Sequence, residues 1–411
     1  MSQDFVVRRF EVYGGSSGAL HEVELAMSDA QAKLPPTEHV DVKIEAVERP
    51  PMRAVLLQGS AAAVAKVRDS VSGCQDVLVR RDWLALLTAP PGPSQPPTTT
   101  PPEPVRPDRR ALLRIDPEGR SRLETGSGFP VVVAVVDSGI MVDHPHLKDH
   151  LWTMKESGQP KTVQGKIVHG ARCMGGVEDY DITDQDGHGT MLAGSILEIA
   201  NFVSDVEIMA VKFFDVITQP VAANAAQAIR FAVQHGAHII NLSFDLGIGS
   251  DELQQAIQSA TAAGVLVVFA AGNTGSDNDQ YPLVPACYAK LCPPGNVIVV
   301  MASDEYDERP TFSNFGGVSV DLAAPGVKIE TTRTFLSTLK STLEPAQYGR
   351  YTGTSAAAAH VTGAAALLKA QKPSRTAKDL KQCLRDSVDK SPWLKCWSGG
   401  RLNLGRALSR P

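Results

Sequence analysis

Apolar runs alternate with amphipathic stretches over the last three quarters of the chain. Val131 to Val136 is a continuous β-branched run, of the kind buried on both faces in a parallel sheet. Later predicted strands span Val206 to Phe214, His238 to Ser243, Val265 to Ala270, Val297 to Ala302 and Val318 to Ala323, and predicted helices span Ala222 to His235, Asp251 to Ala263 and Thr376 to Val388. This alternation predicts an α/β fold with a parallel sheet and helices on both faces.

The first 89 residues have a different pattern, in which four predicted strands and two helices follow the order βαββαβ. The strands span Phe5 to Tyr13, His39 to Val47, Arg53 to Gly59 and Asp76 to Arg81, and the helices Ala19 to Lys33 and Ala61 to Val71. This order predicts a small α+β ferredoxin-like domain over residues 1–89. Residues 90–110 are rich in Pro and Thr and predict an extended linker, either a plain tether or a processing site. Residues 111–411 form the α/β domain.

A glycine turn delivers a serine to the start of a small-residue helix late in the chain. The stretch Tyr351-Thr352-Gly353-Thr354-Ser355 precedes four alanines, Ala356 to Ala359. Unpaired N–H groups and the positive end of a helix dipole beside Ser355 favour the oxyanion that appears during acyl transfer. Small residues at a helix start are more often a cap or packing, so the interpretation needs partner residues.

Two such partners lie upstream. Asp137 ends the Val131 to Val136 run, and a carboxylate at the end of a central strand lies where α/β sheets place their chemistry. His188 stands between Gly187 and Gly189 at the start of another small-residue helix. Glycines there let a substrate backbone approach the imidazole. The order Asp, His, Ser along the chain is that of subtilisin and differs from that of chymotrypsin.

Taken together, these motifs resemble those of the subtilisin-like serine proteases, the subtilases. Val265 to Asn273 is similar to the strand and turn that carry the family's oxyanion asparagine, here Asn273. Other matches are His144-Pro145, Ile240 to Ser243, Phe312 to Gly316 and Ala324 to Gly326. The chain departs from the usual family pattern at Ala356, Ala359 and Met191-Leu192, which removes no catalytic group and leaves specificity undefined.

The resemblance implies a serine endopeptidase that acts on protein or peptide substrates. Ser355 is then the nucleophile, His188 the general base, Asp137 the residue that orients it, and Asn273 an oxyanion donor. Extended substrate is expected to pair beside two segments, Ser243, Phe244, Asp245, Leu246 and Gly247 on one side and Ala270, Ala271 and Gly272 on the other. Residues 1–89 then resemble a propeptide that keeps a zymogen latent, with an unrelated interaction domain as the alternative.

Two other functions stay open at this stage. A precursor-peptide maturation protease or macrocyclase would use the same acyl-enzyme chemistry, with an amine in place of water. An inactive subtilase-fold binding module is the alternative outside enzymology, although it has no physical need for all four catalytic groups. A dedicated regulatory partner protein is compatible with a latent protease.

Composition and charge narrow the classes of partner and the expected cellular location. The chain has 411 residues, a formal charge of −5 and 6% aromatic residues, which does not indicate a nucleic-acid partner. The first residues lack the charged start and long apolar core of a signal peptide, and no stretch approaches the ~20 apolar residues of a membrane span. We therefore expect a cytoplasmic protein with no membrane partner.

No cofactor is expected from the sequence. The six cysteines show no metal-ligand spacing: Cys74, Cys173, Cys287, Cys292, Cys383 and Cys396. Cys287 with Cys292, or Cys383 with Cys396, would be the disulfide pairs in an oxidising compartment, and free thiols are expected in a cytosol. The acidic stretch Glu178 to Asp184 is a calcium candidate, but it matches no EF-hand spacing and favours a solvated loop.

Overall fold

The computed structural model describes the backbone of four strands before residue 87. It also describes residues 110–119, 127–175, 179–200, 203, 205–215, 220–246, 249–292, 295–334 and 347–410. Internal contacts divide the chain into two compact units, Met1–Glu103 and Pro104–Pro411. The domain boundaries set from the sequence at residues 89 and 110 stay predictions.

The first unit contains a four-stranded antiparallel sheet. Its strands are β1 (Phe5–Gly14), β2 (Asp41–Ala46), β3 (Met52–Ser60) and β4 (Val77–Leu86). They lie in the order β2-β3-β1-β4, with β1 paired to both β3 and β4. The two predicted helices lie outside the described residues, so the ferredoxin-like domain stays a prediction.

The second unit is built on a nine-stranded, mostly parallel sheet within the described residues. Its strands are β5 (Val131–Asp137), β10 (Gly170–Arg172), β11 (Val206–Lys212), β12 (Ile239–Leu242), β13 (Leu266–Ala270), β14 (Val297–Ser303), β15 (Leu322–Pro325), β18 (Val388–Lys390) and β19 (Gly400–Leu402). They lie in the order β10-β11-β5-β12-β13-β14-β15-β19-β18, and within this order the β18–β19 pair is antiparallel. Small hairpins are formed by β6 (Lys155–Glu156) with β7 (Gln159–Pro160), β8 (Thr162–Val163) with β9 (Lys166–Ile167), and β16 (Ile329–Thr332) with β17 (Tyr348–Tyr351).

Helices cover both faces of this sheet, as the sequence predicts. They are α1 (Arg110–Ile115), α2 (His188–Ile199), α3 (Ala222–Gln234), α4 (Asp251–Ala262), α5 (Thr354–Gln371), α6 (Ala377–Asp386) and α7 (Leu404–Leu408), with 3₁₀ turns at Lys148–His150 and Ala286–Leu291. Alternate residues of β5 enter two apolar layers: Val131, Val133 and Val135 pack with α2 and α5, and Val132, Ala134 and Val136 with α3 and α4. Because successive strand residues point to opposite faces, burial on both sides explains the unbroken apolar run.

One predicted strand begins later in the chain than expected. The run Val318 to Ala323 was expected to pair throughout, but β15 begins at Leu322 and Val318 is 79% exposed. The carboxylate of Asp279 accepts hydrogen bonds from the N–H groups of Val318 and Ser319 and holds them in a turn. In the described part of the chain, no helix is long and apolar enough to cross a membrane.

Candidate active site

The predicted catalytic residues lie at the carboxyl-end edge of the parallel strands. Asp137 is the last residue of β5, and Asn273 follows β13. His188 is the first residue of α2, and Ser355 lies in the first turn of α5. Since helices return antiparallel to such strands, their N-termini gather at the edge where the strands end. The fold therefore brings residues from four distant parts of the chain to one edge.

Asp137 and His188 are in direct contact. His188 Nδ1 lies 2.8 Å from Asp137 Oδ1, which also accepts a 2.8 Å hydrogen bond from the Ser138 N–H. Asp137 is fully buried, and within the described residues its Oδ2 has no hydrogen-bond partner. Burial disfavours the imidazolium, but the charge and hydrogen bond of Asp137 outweigh it and raise the pKa of His188 to about 9.

Asp184 positions the start of α2. Its carboxylate accepts hydrogen bonds from Ser138 Oγ at 2.9 Å, Gly187 N at 2.8 Å and Thr190 N at 2.9 Å. It also accepts one from Thr190 Oγ1 at 2.6 Å. Asp184 is buried, so the prediction of a solvated acidic loop is wrong at this residue. The carboxylate links β5 to the helix that carries His188, which fixes the spacing of Asp137 and His188.

Ser355 is held at the beginning of a buried helix. Ala356 to Ala359 are at most 1% exposed, so α5 packs deep against the sheet as predicted. Ser355 Oγ donates a 3.1 Å hydrogen bond to the carbonyl oxygen of Ser243. A hydroxyl has one hydrogen, so in this conformation Ser355 is not donating to His188. The structure thus brings the serine to the same edge without forming the serine–histidine hydrogen bond.

Asn273 is oriented by the residue that precedes Ser355. Its Oδ1 accepts hydrogen bonds from Thr354 N at 2.8 Å and Thr354 Oγ1 at 3.0 Å. These two donors fix which end of the amide is the oxygen and leave Nδ2 available on an exposed residue. The N–H of Ser355 belongs to the first turn of α5, where N–H groups have no acceptor within the helix. In the described part of the chain, Asn273 Nδ2 and the Ser355 N–H are therefore two donors without an internal acceptor near the start of α5.

A buried polar chain ties β12 to α5. Thr362 Oγ1 donates to Asn241 Oδ1 at 2.8 Å, and Asn241 Nδ2 donates to Ser243 Oγ at 2.9 Å. In the sequence, Asn241 stands out only as part of a match to the family, and no local pattern indicates a role for Thr362. An asparagine inside an apolar strand is itself a signal, because a buried amide requires partners. The chain fixes the Ser243 carbonyl that receives the Ser355 hydroxyl.

The two predicted substrate-binding segments differ in what their backbones offer. In the first, Ser243, Phe244 and Leu246 are buried, Asp245 is half-exposed, and Gly247 lies outside the described residues. In the second, the segment of Ala270, Ala271 and Gly272, the N–H of Ala271 donates to Val300 O and that of Gly272 to Thr354 Oγ1. All three residues of the second segment are buried, and these two N–H donors are already used within the protein.

Comparison with known protein families identifies the family to which this chain belongs. The model of the subtilase family matches residues 128–400, a range that contains Asp137, His188, Asn273 and Ser355. The chain belongs to the subtilase family. It is accordingly a subtilisin-like serine endopeptidase, a hydrolase.

Similar proteins carry protease names. This subtilase is 32% identical to subtilisin BL of Lederbergia lenta over 293 residues, 70% of this chain and 93% of that protein. It is 32% identical to alkaline elastase YaB of Bacillus sp. (strain YaB) over 278 residues, 66% of this chain and 62% of that protein. Among solved structures, a lanthipeptide protease matches with 25% identity and a TM-score of 0.57, over 72% of this chain and 92% of that one. The shared fold confirms the predicted subtilisin-like sheet.

Two further features of this subtilase are its potential metal ligands and its thiols. Within its described residues, no group of three or more His, Cys, Asp or Glu is placed to hold a metal ion. Calcium binding by the acidic stretch Glu178 to Asp184 stays a candidate from the sequence. The described cysteines are free thiols: Cys173, Cys287, Cys292, Cys383 and Cys396.

Proposed function

We propose that this subtilase hydrolyses peptide bonds with Ser355 as nucleophile, His188 as general base and Asp137 as the residue that orients it. The observation that carries the proposal is the 2.8 Å contact between His188 Nδ1 and Asp137 Oδ1, at the sheet edge where Ser355 begins α5. That contact leaves Nε2 as the ring nitrogen free to take a proton.

The reaction begins with a proton transfer. His188 Nε2 accepts the Ser355 proton as Oγ attacks the scissile carbonyl, and Asp137 stabilises the imidazolium without being protonated itself. Asn273 Nδ2 and the Ser355 N–H donate to the oxyanion that forms. His188 then protonates the leaving amine, and water hydrolyses the acyl-enzyme by the same steps.

The nucleophile must turn before it reacts. Ser355 Oγ donates to Ser243 O in the described conformation, so rotation about its Cα–Cβ bond has to redirect the hydroxyl toward His188. Catalytic hydrogen bonds are often long or misdirected before substrate binds, so this geometry is compatible with the mechanism.

Covalent labelling tests the proposal directly. A fluorophosphonate reacts with serine hydroxyls that are activated by a neighbouring base, and peptide mapping then identifies the modified residue. We expect a single label on Ser355 in the wild-type protein. A label on another serine, or cleavage of casein by a protein that never takes up the probe, would contradict the assignment of Ser355.

The Asn273→Ala variant is expected to lose turnover while keeping substrate affinity. Removing an oxyanion donor costs about 10²–10³ in kcat, a magnitude established for the corresponding asparagine of subtilisin, because the interaction forms only in the transition state. Steady-state kinetics on a peptide p-nitroanilide separate kcat from KM. Gln280→Ala, at an exposed amide further along the same loop, is the control and should match wild type. A change confined to KM would remove Asn273 from the oxyanion site.

We expect kcat/KM to rise with pH as His188 loses its proton. A general base must be neutral, so the raised pKa of His188 places this limb above the ordinary range of histidine. Asp186 Oδ1 accepts a hydrogen bond from the His188 N–H at 3.2 Å, and its negative charge helps to raise the histidine pKa. Burial raises the pKa of Asp186 itself to about 6, so its charge is present above that pH. Asp186→Asn keeps the acceptor and removes the charge, and should move the limb to lower pH.

The pH profile has its own control. Asp181 is an exposed carboxylate in the same loop, and Asp181→Asn should leave the limb where wild type has it. A limb that stays fixed or moves upward in Asp186→Asn would show that Asp186 does not stabilise the imidazolium.

The proposal includes regulation by the residues that precede the α/β domain. Its support is the resemblance of residues 1–89 to a propeptide and the Pro-rich stretch that follows. Intact-mass spectrometry detects a cut between Leu87 and Ala111 if the chain processes itself. A cytoplasmic location and a regulatory partner protein remain predictions from the sequence. A binding-only role is not favoured, since the named relatives are proteases and all four proposed catalytic groups are present. No contact of the described site favours peptide maturation over general hydrolysis.

A further inference from the structure

Two tryptophans are exposed on one side of a short segment near the carboxyl end of the chain. Trp393 is 64% and Trp397 53% exposed, whereas Leu394 and Cys396 are buried between them. Lys395 is exposed as well. This alternation is typical of an extended segment and places the two tryptophans on the same outward side. Exposed aromatic side chains that lie close together are typical of interaction surfaces.

A third exposed aromatic side chain, Tyr306, adjoins this segment. Tyr306 is 75% exposed and immediately precedes Asp307. The carbonyl oxygen of Asp307 accepts a 2.8 Å hydrogen bond from Ser391 Oγ, which itself accepts one of 3.3 Å from the Trp393 N–H. A single hydroxyl therefore joins the backbones that carry Tyr306 and Trp393. We call these three side chains the aromatic surface: Tyr306, Trp393 and Trp397.

The first helix of the second unit is anchored at the same turn. Arg114 in α1 forms an ion pair with Asp307, and its carbonyl oxygen accepts a 2.9 Å hydrogen bond from Arg401 Nη1. Arg401 also pairs with Asp307, at 2.7 Å. Helix α1 begins at Arg110, about 6 Å along the helix axis from Arg114. The residues that precede α1 therefore join the helix close to Tyr306.

These preceding residues have the sequence of a polyproline ligand. Pro104-Val105-Arg106-Pro107 has the spacing P-x-x-P, and internal contacts assign residues 104–107 to the second unit, although they lie outside the described residues. Segments of this kind favour the polyproline II helix, which binds to exposed aromatic side chains. At about 3.1 Å per residue, residues 104–109 span about 19 Å. This length is comparable with the path through α1 and the ion pair of Arg114 to Tyr306.

Charge complementarity supports the same occupant. The turn that carries Tyr306 also has two exposed carboxylates, Glu305 and Glu308. The P-x-x-P segment has one cation, Arg106. Opposite charges at the rim of an interface fix the register of the ligand. The prolines therefore face the aromatic rings when Arg106 faces the two carboxylates.

We propose that the aromatic surface binds the proline-rich segment at residues 104–107 of the same chain. The two prolines pack on Trp393 and Tyr306, and the guanidinium of Arg106 pairs with the carboxylates of the turn. Binding protects the residues just before α1 from proteolysis, so any self-processing cut falls before residue 104. The interaction needs none of the proposed catalytic residues, and it stands or fails independently of the proposed function.

Limited proteolysis of the full chain tests the proposal, with Ser355→Ala as the background so that the chain cannot cut itself. Trypsin cuts after Arg109 only in the fraction of molecules in which this part of the chain is released, and intact-mass spectrometry measures the rate. Trp393→Ala should raise the rate by about tenfold, the effect of removing a tryptophan anchor. Tyr281→Ala is the matched control, because Tyr281 is 70% exposed in another loop, and it should keep the background rate.

A change in the segment itself keeps the test independent of the stability of the surface. Pro104→Ala together with Pro107→Ala leaves every described residue intact and should raise the rate of trypsin cleavage as much as Trp393→Ala does. An unchanged rate in either variant would overturn the proposal. Protection that increases with protein concentration would also overturn it, because the segment of a second copy would then occupy the surface.

A peptide titration identifies the occupant directly. A synthetic peptide of residues 101–108 is added to the same background, and intrinsic tryptophan fluorescence reports binding. In the unaltered chain the tethered segment competes at high effective concentration, so the peptide should bind at least tenfold more weakly than to the variant with both proline substitutions. Adding Trp393→Ala to that variant should abolish binding. Equal affinity for the unaltered chain and the proline variant, or no binding to the proline variant, would show that residues 104–107 are not the ligand of the aromatic surface.

Discussion

Ser355→Ala is expected to lower kcat by about 10⁶, the loss that follows removal of the nucleophile in subtilisin. The proposed mechanism forms the acyl-enzyme on Ser355 Oγ, so no covalent intermediate is available without it. Without the Ser355 hydroxyl, His188 has no proton to accept, so its contact with Asp137 contributes nothing to catalysis. The measurement is kcat on a peptide p-nitroanilide, with fluorophosphonate labelling as the parallel readout. Both should be lost together.

The fold should survive this substitution. Ser355 is 8% exposed and its hydroxyl makes one hydrogen bond to the Ser243 carbonyl, worth about 1 kcal/mol of the free energy of unfolding. Ser409→Ala is a matched control, because Ser409 Oγ also donates one hydrogen bond to a carbonyl, that of Gly405. We expect both variants to unfold at similar temperatures and only Ser409→Ala to remain active. Peptide hydrolysis by Ser355→Ala far above about a millionth of the wild-type rate would identify another nucleophile, since binding and the oxyanion donors alone leave only about 10³–10⁴ over the uncatalysed reaction.

The sequence predicted the parts of the fold that depend on strong local patterns. Strand β5 was predicted over Val131 to Val136 and is found over Val131–Asp137, because a run buried on both faces must be apolar at every position. Gly187, with a φ of +94°, turns the chain immediately before His188 at the start of α2, and few other residues allow that backbone. The run of small residues after Ser355 marks the buried helix α5. These local patterns predict the positions of the proposed catalytic groups before any coordinates are known.

Features that depend on distant partners were not predictable in this way. In the sequence, Asp184 is one more carboxylate in a polar stretch. In the structure it is buried, because Ser138, Gly187 and Thr190 donate hydrogen bonds to it. Leu283 and Gly272 are adjacent only in the folded chain, so no periodicity relates them. The conformation of the Ser355 hydroxyl depends likewise on the Ser243 carbonyl, which another strand provides. Local sequence gives the groups at the site, and tertiary contacts decide their orientation and the space around them.

Asp137→Asn is expected to lower kcat by about 10⁴ near neutral pH, with KM nearly unchanged. Asp137 Oδ1 accepts hydrogen bonds from both His188 Nδ1 and the Ser138 N–H, and a carboxylate serves both without a proton of its own. An asparagine whose amide nitrogen faces His188 donates to Nδ1 and forces the ring proton onto Nε2. In that tautomer Nε2 cannot accept the Ser355 proton, so the general base is lost while the shape of the site is kept. The pKa of His188 should also fall, since the charge that raises it is gone.

A buried control separates this chemistry from a general effect of losing a carboxylate. Asp321 is 8% exposed, forms an ion pair with Lys381 at 2.8 Å and accepts the Val299 N–H, all outside the proposed site. Asp321→Asn is therefore expected to lower the thermal midpoint, because it weakens a buried pair, and to leave kcat unchanged. Asp137→Asn should show the opposite result, a large loss of kcat with a smaller change in the midpoint. If instead kcat in Asp137→Asn stayed within about tenfold of wild type, the loss expected from a wrong histidine tautomer would be absent. His188 would then need a different residue to orient it.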